Sequence, residues 1–187
     1  MKKNIIISSF SLLSTLAFSQ VAIGKSEVTN SSVSLEFESG NRGIILPWVD
    51  SEIAVTGAVA GTIIYDTTDK KVKVKKVASG WKDLSVETGA VDKTLQTSLT
   101  EKSTAKVAIG ANGATDTTPG ILVLTDTDKA MILPKTTYDA VVNPAAGMMI
   151  YDTTAKQLAV FNGTVWSFWK PKKKNPSHKQ VVKLILI

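Results

Sequence analysis

Ile64-Tyr65-Asp66-Thr67-Thr68 returns 86 residues later as Ile150-Tyr151-Asp152-Thr153-Thr154, and that recurrence decides how the chain is read. Other landmarks keep the same order around it. Val21-Ala22-Ile23-Gly24 returns as Val107-Ala108-Ile109-Gly110, Ile45-Leu46-Pro47 as Ile132-Leu133-Pro134, and Trp81 as Trp166. Spacings of 85 to 87 residues, kept over four landmarks, identify a tandem duplication.

Each copy reads as strands and turns. Val33, Leu35 and Phe37 alternate with Ser34, Glu36 and Glu38, the period of a strand with one buried face, and Leu122 and Leu124 stand at the places of Leu35 and Phe37. A polar turn and an apolar run ending at Pro47 or Pro134 then predict a hairpin closed by proline. A second hairpin is predicted from Thr62–Tyr65 and Val72–Lys75 around Asp66-Thr67-Thr68-Asp69-Lys70, because short Asp and Thr side chains bond nearby amides in turns. In the second copy Asn162-Gly163, a strong hairpin dipeptide, separates Gln157–Phe161 from Thr164-Val165-Trp166. The expected fold class is therefore mainly β, with two tandem small antiparallel β-rich modules of about four or five strands joined by a polar linker. The expected boundaries are a leader at 1–19, modules at 20–84 and 105–169, a linker at 85–104 and a tail at 170–187. Val91, Leu95 and Leu99 could line one helical face in that linker, but a coiled coil wants more heptads, so a flexible connection is the preferred reading.

The two ends of the chain differ from the modules. Lys2 and Lys3, the apolar stretch Ile5 to Phe18 and the small residues of Ala17-Phe18-Ser19 describe a secretory signal peptide cleaved near Ser19/Gln20. The apolar stretch is short for a membrane span, which needs about 20 residues, and no transmembrane segment is expected in the mature chain. The net charge of +6 is misleading as a sign of nucleic-acid binding. Six lysines lie beyond residue 169, and without them and Lys2 and Lys3 the body holds 14 basic against 16 acidic residues, so no nucleic-acid partner is expected. The tail, with Pro171, Pro176 and a closing Val-Val-Lys-Leu-Ile-Leu-Ile, reads equally as a disordered basic tail, a strand added to a partner or an altered reading frame.

The landmark order resembles a secreted repeat module of the Bacteroidetes (Bacteroidota), found in adhesin-like and tail-fibre-like cell-surface proteins. The residues that carry the resemblance are Val107 to Gly110, Met131 to Pro134, Gly147 to Thr154 and Phe161-Asn162-Gly163-Thr164-Val165-Trp166. The first copy repeats them from Val21 to Trp81, with Ser79-Gly80 in place of Asn-Gly-Thr. The resemblance implies a non-catalytic stalk or spacer, secreted or at the cell surface, assembled as a fibre-like homo-oligomer with surface glycans or other cell-surface proteins as partners. It also implies O-glycosylation at Thr67 and Thr153, whose Asp-Thr-Thr setting fits an acceptor pattern of that bacterial group; turn chemistry alone explains the same residues equally well.

Chemistry-bearing patterns are sparse. The absence of cysteine excludes disulfides and thiolate metal sites, and the lone His178 excludes a histidine triad or a multi-histidine metal site within the modules. Gly24-Lys25-Ser26 resembles the end of a phosphate-binding loop, but Ser19 occupies the place of its first glycine. Asp126 and Asp128 lack the glycine and distal glutamate of a calcium loop, so a solvated turn is preferred. No cofactor, metal or catalytic residue is expected. Trp48 and Trp169 are the candidate ligand-binding residues, because they are not duplicated, whereas Tyr65, Tyr151, Trp81 and Trp166 read as core. A carbohydrate-binding protein is accordingly the alternative function, and a secreted hydrolase built on convergent carboxylates the remote one. The lysine strip Lys70, Lys71, Lys73, Lys75 and Lys76 reads as an edge strand guarded against pairing, ahead of a binder of acidic polysaccharide.

Overall fold

The computed structural model describes residues 20–78, 80–102 and 104–169; the predicted leader and the basic tail, with His178, lie outside the described residues. Among the described residues the fold is mainly β, with one helical turn, α1 (Thr94–Thr97), and a short 3-10 turn at Tyr138–Ala140. In the first repeat the strands are β1 (Val21–Ile23), β2 (Val33–Phe37), β3 (Ile44–Ile45), β4 (Trp48–Val49), β5 (Ile63–Asp66), β6 (Lys71–Lys75) and β7 (Trp81–Asp83). In the second they are β8 (Val107–Ile109), β9 (Leu122–Leu124), β10 (Ala130–Ile132), β11 (Lys135–Thr136), β12 (Met148–Asp152), β13 (Gln157–Phe161) and β14 (Trp166–Trp169).

The duplication is visible strand for strand. The order β4-β5-β6-β7 in one sheet is matched by β11-β12-β13-β14 in another. In both, a short parallel strand leads into an antiparallel hairpin, with Tyr65 opposite Val72 and Tyr151 opposite Leu158. These are the predicted second hairpins, and β14 closes on β13 around Asn162-Gly163 as expected. The Asn162 side-chain oxygen accepts the amides of Thr164 and Val165, which fixes the turn.

The predicted first hairpin does not form. β2 pairs in parallel with β1 and with β10, and β9 pairs in parallel with β8. In both repeats the loop between the first two strands carries the chain back alongside the first strand instead of reversing it, and in the first repeat that loop is tied to β2. It carries Lys25 and Thr29, and Glu36 on β2 is satisfied by the Thr29 amide at 2.6 Å, the Thr29 hydroxyl at 2.7 Å and Lys25 Nζ at 2.8 Å. Folding that loop over the strand lays β1 alongside β2 in the same direction. It also buries Glu36 and Ser34 as well as Val33 and Leu35, so β2 is covered on both faces rather than one. The lysine-rich strand β6 departs from expectation in a similar way. It lies between β5 and β7 instead of at an edge, and its lysines are partnered: Lys71 with Asp83 at 2.9 Å, and Lys75 over the Trp81 ring.

The repeats also exchange strands, so they are not separate antiparallel packages. β3 of the first repeat pairs antiparallel with β12 of the second, and β10 of the second adds to β2 of the first. One apolar cluster draws on both: Leu46, Tyr65, Val72 and Leu84 pack with Ala146, Met149 and Val160. Small modules bury too little surface to be stable alone, and pooling their apolar faces is the physical remedy. The segment expected to be a polar linker begins inside this contact. Ser85 is buried, Val91 packs on the shared cluster, and a side chain at Gly89 would collide with the Asn162 carbonyl.

Among the described residues Tyr65 is the largest fully buried side chain, and both repeats enclose it. Its hydroxyl donates to the Asn162 carbonyl at 2.8 Å, and its Cβ sits 2.9 Å from where a side chain on Gly147 would begin. Gly147 has φ +78°, so both its backbone and its neighbour require glycine. Tyr65→Phe should therefore leave the Asn162 carbonyl without that donor and lower unfolding free energy by about 1 kcal/mol, read as a shifted urea midpoint at unchanged slope.

Candidate functional site

The repeated Asp-Thr-Thr turn builds the same carboxylate site twice. Asp66 accepts the amides of Thr68 and Asp69 from its own turn and the amide of Glu52 from a loop 14 residues earlier. Asp152 does the same with Thr154, Ala155 and Tyr138. Both turns then pass through a lysine in left-handed backbone, Lys70 at φ 56° and Lys156 at φ 54°. A buried carboxylate satisfied by three amides explains why Asp leads this motif: it ties the hairpin to the preceding loop.

Around that shared frame the two copies diverge. In the first, Lys73 is buried and its Nζ lies 3.1 Å from Asp66 and 2.8 Å from Glu52, and it also bonds Asp69. Burial by itself would push Asp66 up, but the amides of Asp69 and Glu52 and the Lys73 ammonium outweigh it and hold the carboxyl low. Burial likewise favours the neutral form of Lys73, and its bonds to Asp69, Glu52 and Asp66 reverse this and raise its pKa. Glu52, Asp66 and Asp69 could together face a metal ion, yet Lys73 already supplies a cation to all three. Burial, with the charge of the adjacent Asp66, pushes the Tyr65 hydroxyl up to about 12, so it stays a donor.

In the second copy Ala159 stands where Lys73 would be and Tyr138 where Glu52 would be. The charge cluster is replaced by a cleft lined by Tyr138, Asp152, Thr154, Gln157 and Phe168. Tyr138 and Phe168 meet edge to face, with centroids 5.4 Å apart. Gln157 donates to the Ala155 carbonyl, while its side-chain oxygen is buried without a partner among the described residues.

The residues singled out from sequence fall elsewhere. Trp48 and Trp169 are half-buried between the repeats; their indole N–H groups donate to the carbonyls of Ala146 at 2.8 Å and Leu84 at 2.9 Å. Lys82 lies over the Trp169 ring. Thr67 is buried, whereas Thr153 is exposed. Among the duplicated aromatics, Tyr65 is core and Tyr151 is not. Asp126 lies in a turn, bonded to the Ala111 amide and to Lys129. The aromatic pair Tyr138 and Phe168 was not singled out from sequence. The available signal is the departure of the second repeat from the first where Tyr138 replaces Glu52 and Ala159 replaces Lys73, and it marks Tyr138 alone.

Residues 109–179 are similar to the family described as phage tail like trimerisation region. That match runs from the end of β8 through β14, nearly the whole second repeat, and agrees with the tail-fibre-like side of the resemblance. No curated protein and no solved structure matches the chain. Among the described residues, no helix is long and apolar enough to cross a membrane.

The comparison between repeats predicts an order of mutational effects. Asp66→Ala and Asp152→Ala should each cost about 2–4 kcal/mol, because amides held by one carboxylate lose their acceptor together. Lys73→Ala should cost less than Asp66→Ala, since Asp152 is held by amides beside an alanine. Urea unfolding of the three variants checks both statements.

Proposed function

We propose that the chain is a non-catalytic, fibre-like structural protein that works as a homotrimer outside the cytoplasm, secreted or at the cell surface. The observation that carries this reading is the similarity of residues 109–179 to a phage-tail-like trimerisation region. The β architecture supports it, since short strands shared between repeats are suited to a rod or stalk whose stability comes from neighbours. Export is supported by Lys2, Lys3, the apolar stretch to Phe18 and the small residues before Gln20. A structural role without catalysis is supported by the carboxylates Glu52, Asp66 and Asp69, which are engaged by Lys73 rather than open to a substrate. An adhesin-like task, with surface glycans or other surface proteins as partners, fits the same location. Light scattering on the purified chain should give three times the mass of one chain, with a melting temperature that rises with protein concentration. A stable monomer at all concentrations would end this reading.

A carbohydrate-binding role is the second reading, and the cleft beside Asp152 favours it. Exposed aromatic rings stack on the apolar faces of sugars, and Tyr138 and Phe168 present two such rings at the cleft. On a glycan array, Tyr138→Ala and Phe168→Ala should abolish any binding while leaving the fold intact. Trp48→Ala and Trp169→Ala should instead lower stability, because both rings join the repeats. Glycan binding that survives loss of Tyr138 and Phe168 would exclude this cleft.

A further inference from the structure

The exchange of strands between the repeats runs one way. β3 of the first repeat pairs with β12 of the second, and β10 of the second pairs with β2 of the first. Under a two-fold relation the converse pairs would also exist: β10 on β5, and β3 on β9. Neither is present among the described residues. The contact is therefore head-to-tail, and such contacts leave an unused face at each end.

Burial records those unused faces residue by residue. Leu35 on β2, covered by β10, is 1% exposed, whereas its counterpart Leu122 on β9 is 48% exposed. Tyr65, capped by the second repeat, is fully buried, whereas Tyr151 is 38% exposed. At the other end the sign reverses. Ile132 is half-buried against the first repeat, while its counterpart Ile45 is 55% exposed. The second repeat thus lacks a follower and the first lacks a predecessor.

We propose that a second copy of this chain supplies both. Its β3 segment docks parallel on the open edge of β9, and β10 of the first chain docks antiparallel on the second chain's Thr62–Ile63, beside β5. The register follows from the pairs already inside the chain. Met131 lies opposite Leu35 and Ile132 opposite Glu36, which places the incoming Ile44 opposite Leu122 and Ile45 opposite Val123. Met148 lies opposite Ile45 and Met149 opposite Ile44, which places the incoming Thr62 opposite Ile132 and Ile63 opposite Met131. The outward amides are in the right place. Val107 donates to the Ile121 carbonyl and Thr125 to that of Ile109, so alternation along β9 turns Leu122 and Leu124 toward the open edge. A repeated head-to-tail contact closes into a ring when its rotation permits, and this inference rests on the trimer reading for closure at three.

The chain's lack of cysteine makes the register testable directly. In the full chain carrying Ile44→Cys and Leu122→Cys, neighbouring strands about 4.8 Å apart are within disulfide reach. Oxidation should convert the monomer band to species linked between chains, ending at three. Ile44→Cys with Met149→Cys should close within one chain, because β3 keeps its partner β12. Leu122→Pro removes one outward amide while sparing the β8 pairing, and should shift the assembly to monomer with an unchanged circular dichroism spectrum. A trimer that gives no Ile44–Leu122 cross-link, or that survives Leu122→Pro, overturns the strand exchange and leaves the trimer reading standing. A wild-type chain that is monomeric by light scattering overturns both, and a ladder running past three chains overturns closure.

Discussion

The contact on which the rest of the structure depends is the seam between the repeats, where Tyr65 enters a space completed by Gly147, Asn162 and Met149. A module of some 65 residues with few aromatic side chains has little apolar surface to hide. It becomes stable by lending strands and side chains to a neighbour. The polar atoms at the seam follow the same logic: Trp48 and Trp169 bond backbone across the repeats, and Ser167 and Asn162 bond backbone of the connecting segment at Val86 and Glu87. Buried amides and carbonyls that no ladder reaches are thereby satisfied, which a purely apolar seam could not do.

Much of the local structure was legible in the sequence. The duplication, the mainly β class and the second hairpin of each copy follow from Asp-Thr-Thr, from Asn162-Gly163 and from alternating apolar residues, all of which act within a few residues of chain. The partner of β2 was not legible. Alternation in Val33 to Phe37 states that a strand exists but not which strand lies beside it, and short strands carry little register information. The parallel choice is common to both repeats, with Glu36 in one and Val123 in the other, and Glu36's bonds to Lys25 and Thr29 show only once the loop is folded over it. Burial of Glu36, Lys73 and Asp66 likewise depends on ion pairing across distant segments, which periodicity cannot report.

The candidate site was legible only in part. The carboxylate of the Asp-Thr-Thr turn could be recognised as turn chemistry, and its third amide, from Glu52 or Tyr138, could not. Trp48 and Trp169 stood out because they lack counterparts, and that same lack of symmetry marks residues of a seam, where one repeat meets the other with a different face. Tyr138 shows only when the repeats are compared, as the replacement of Glu52, and Phe168 belongs to no motif.

The pairing of Lys73 with Ala159 across the duplication has a consequence of its own. The ancestral turn is overdetermined: its carboxylate is held by backbone whether or not an ammonium fills the neighbouring space. Such redundancy frees the locus to diverge without loss of fold. One copy has filled the space with fixed charge and become a rigid joint, and the other has left it open and lined it with rings. A gene that doubles its scaffold in this way gains a locus whose chemistry can change while the fold is kept, and the difference between the two copies is already written in two positions.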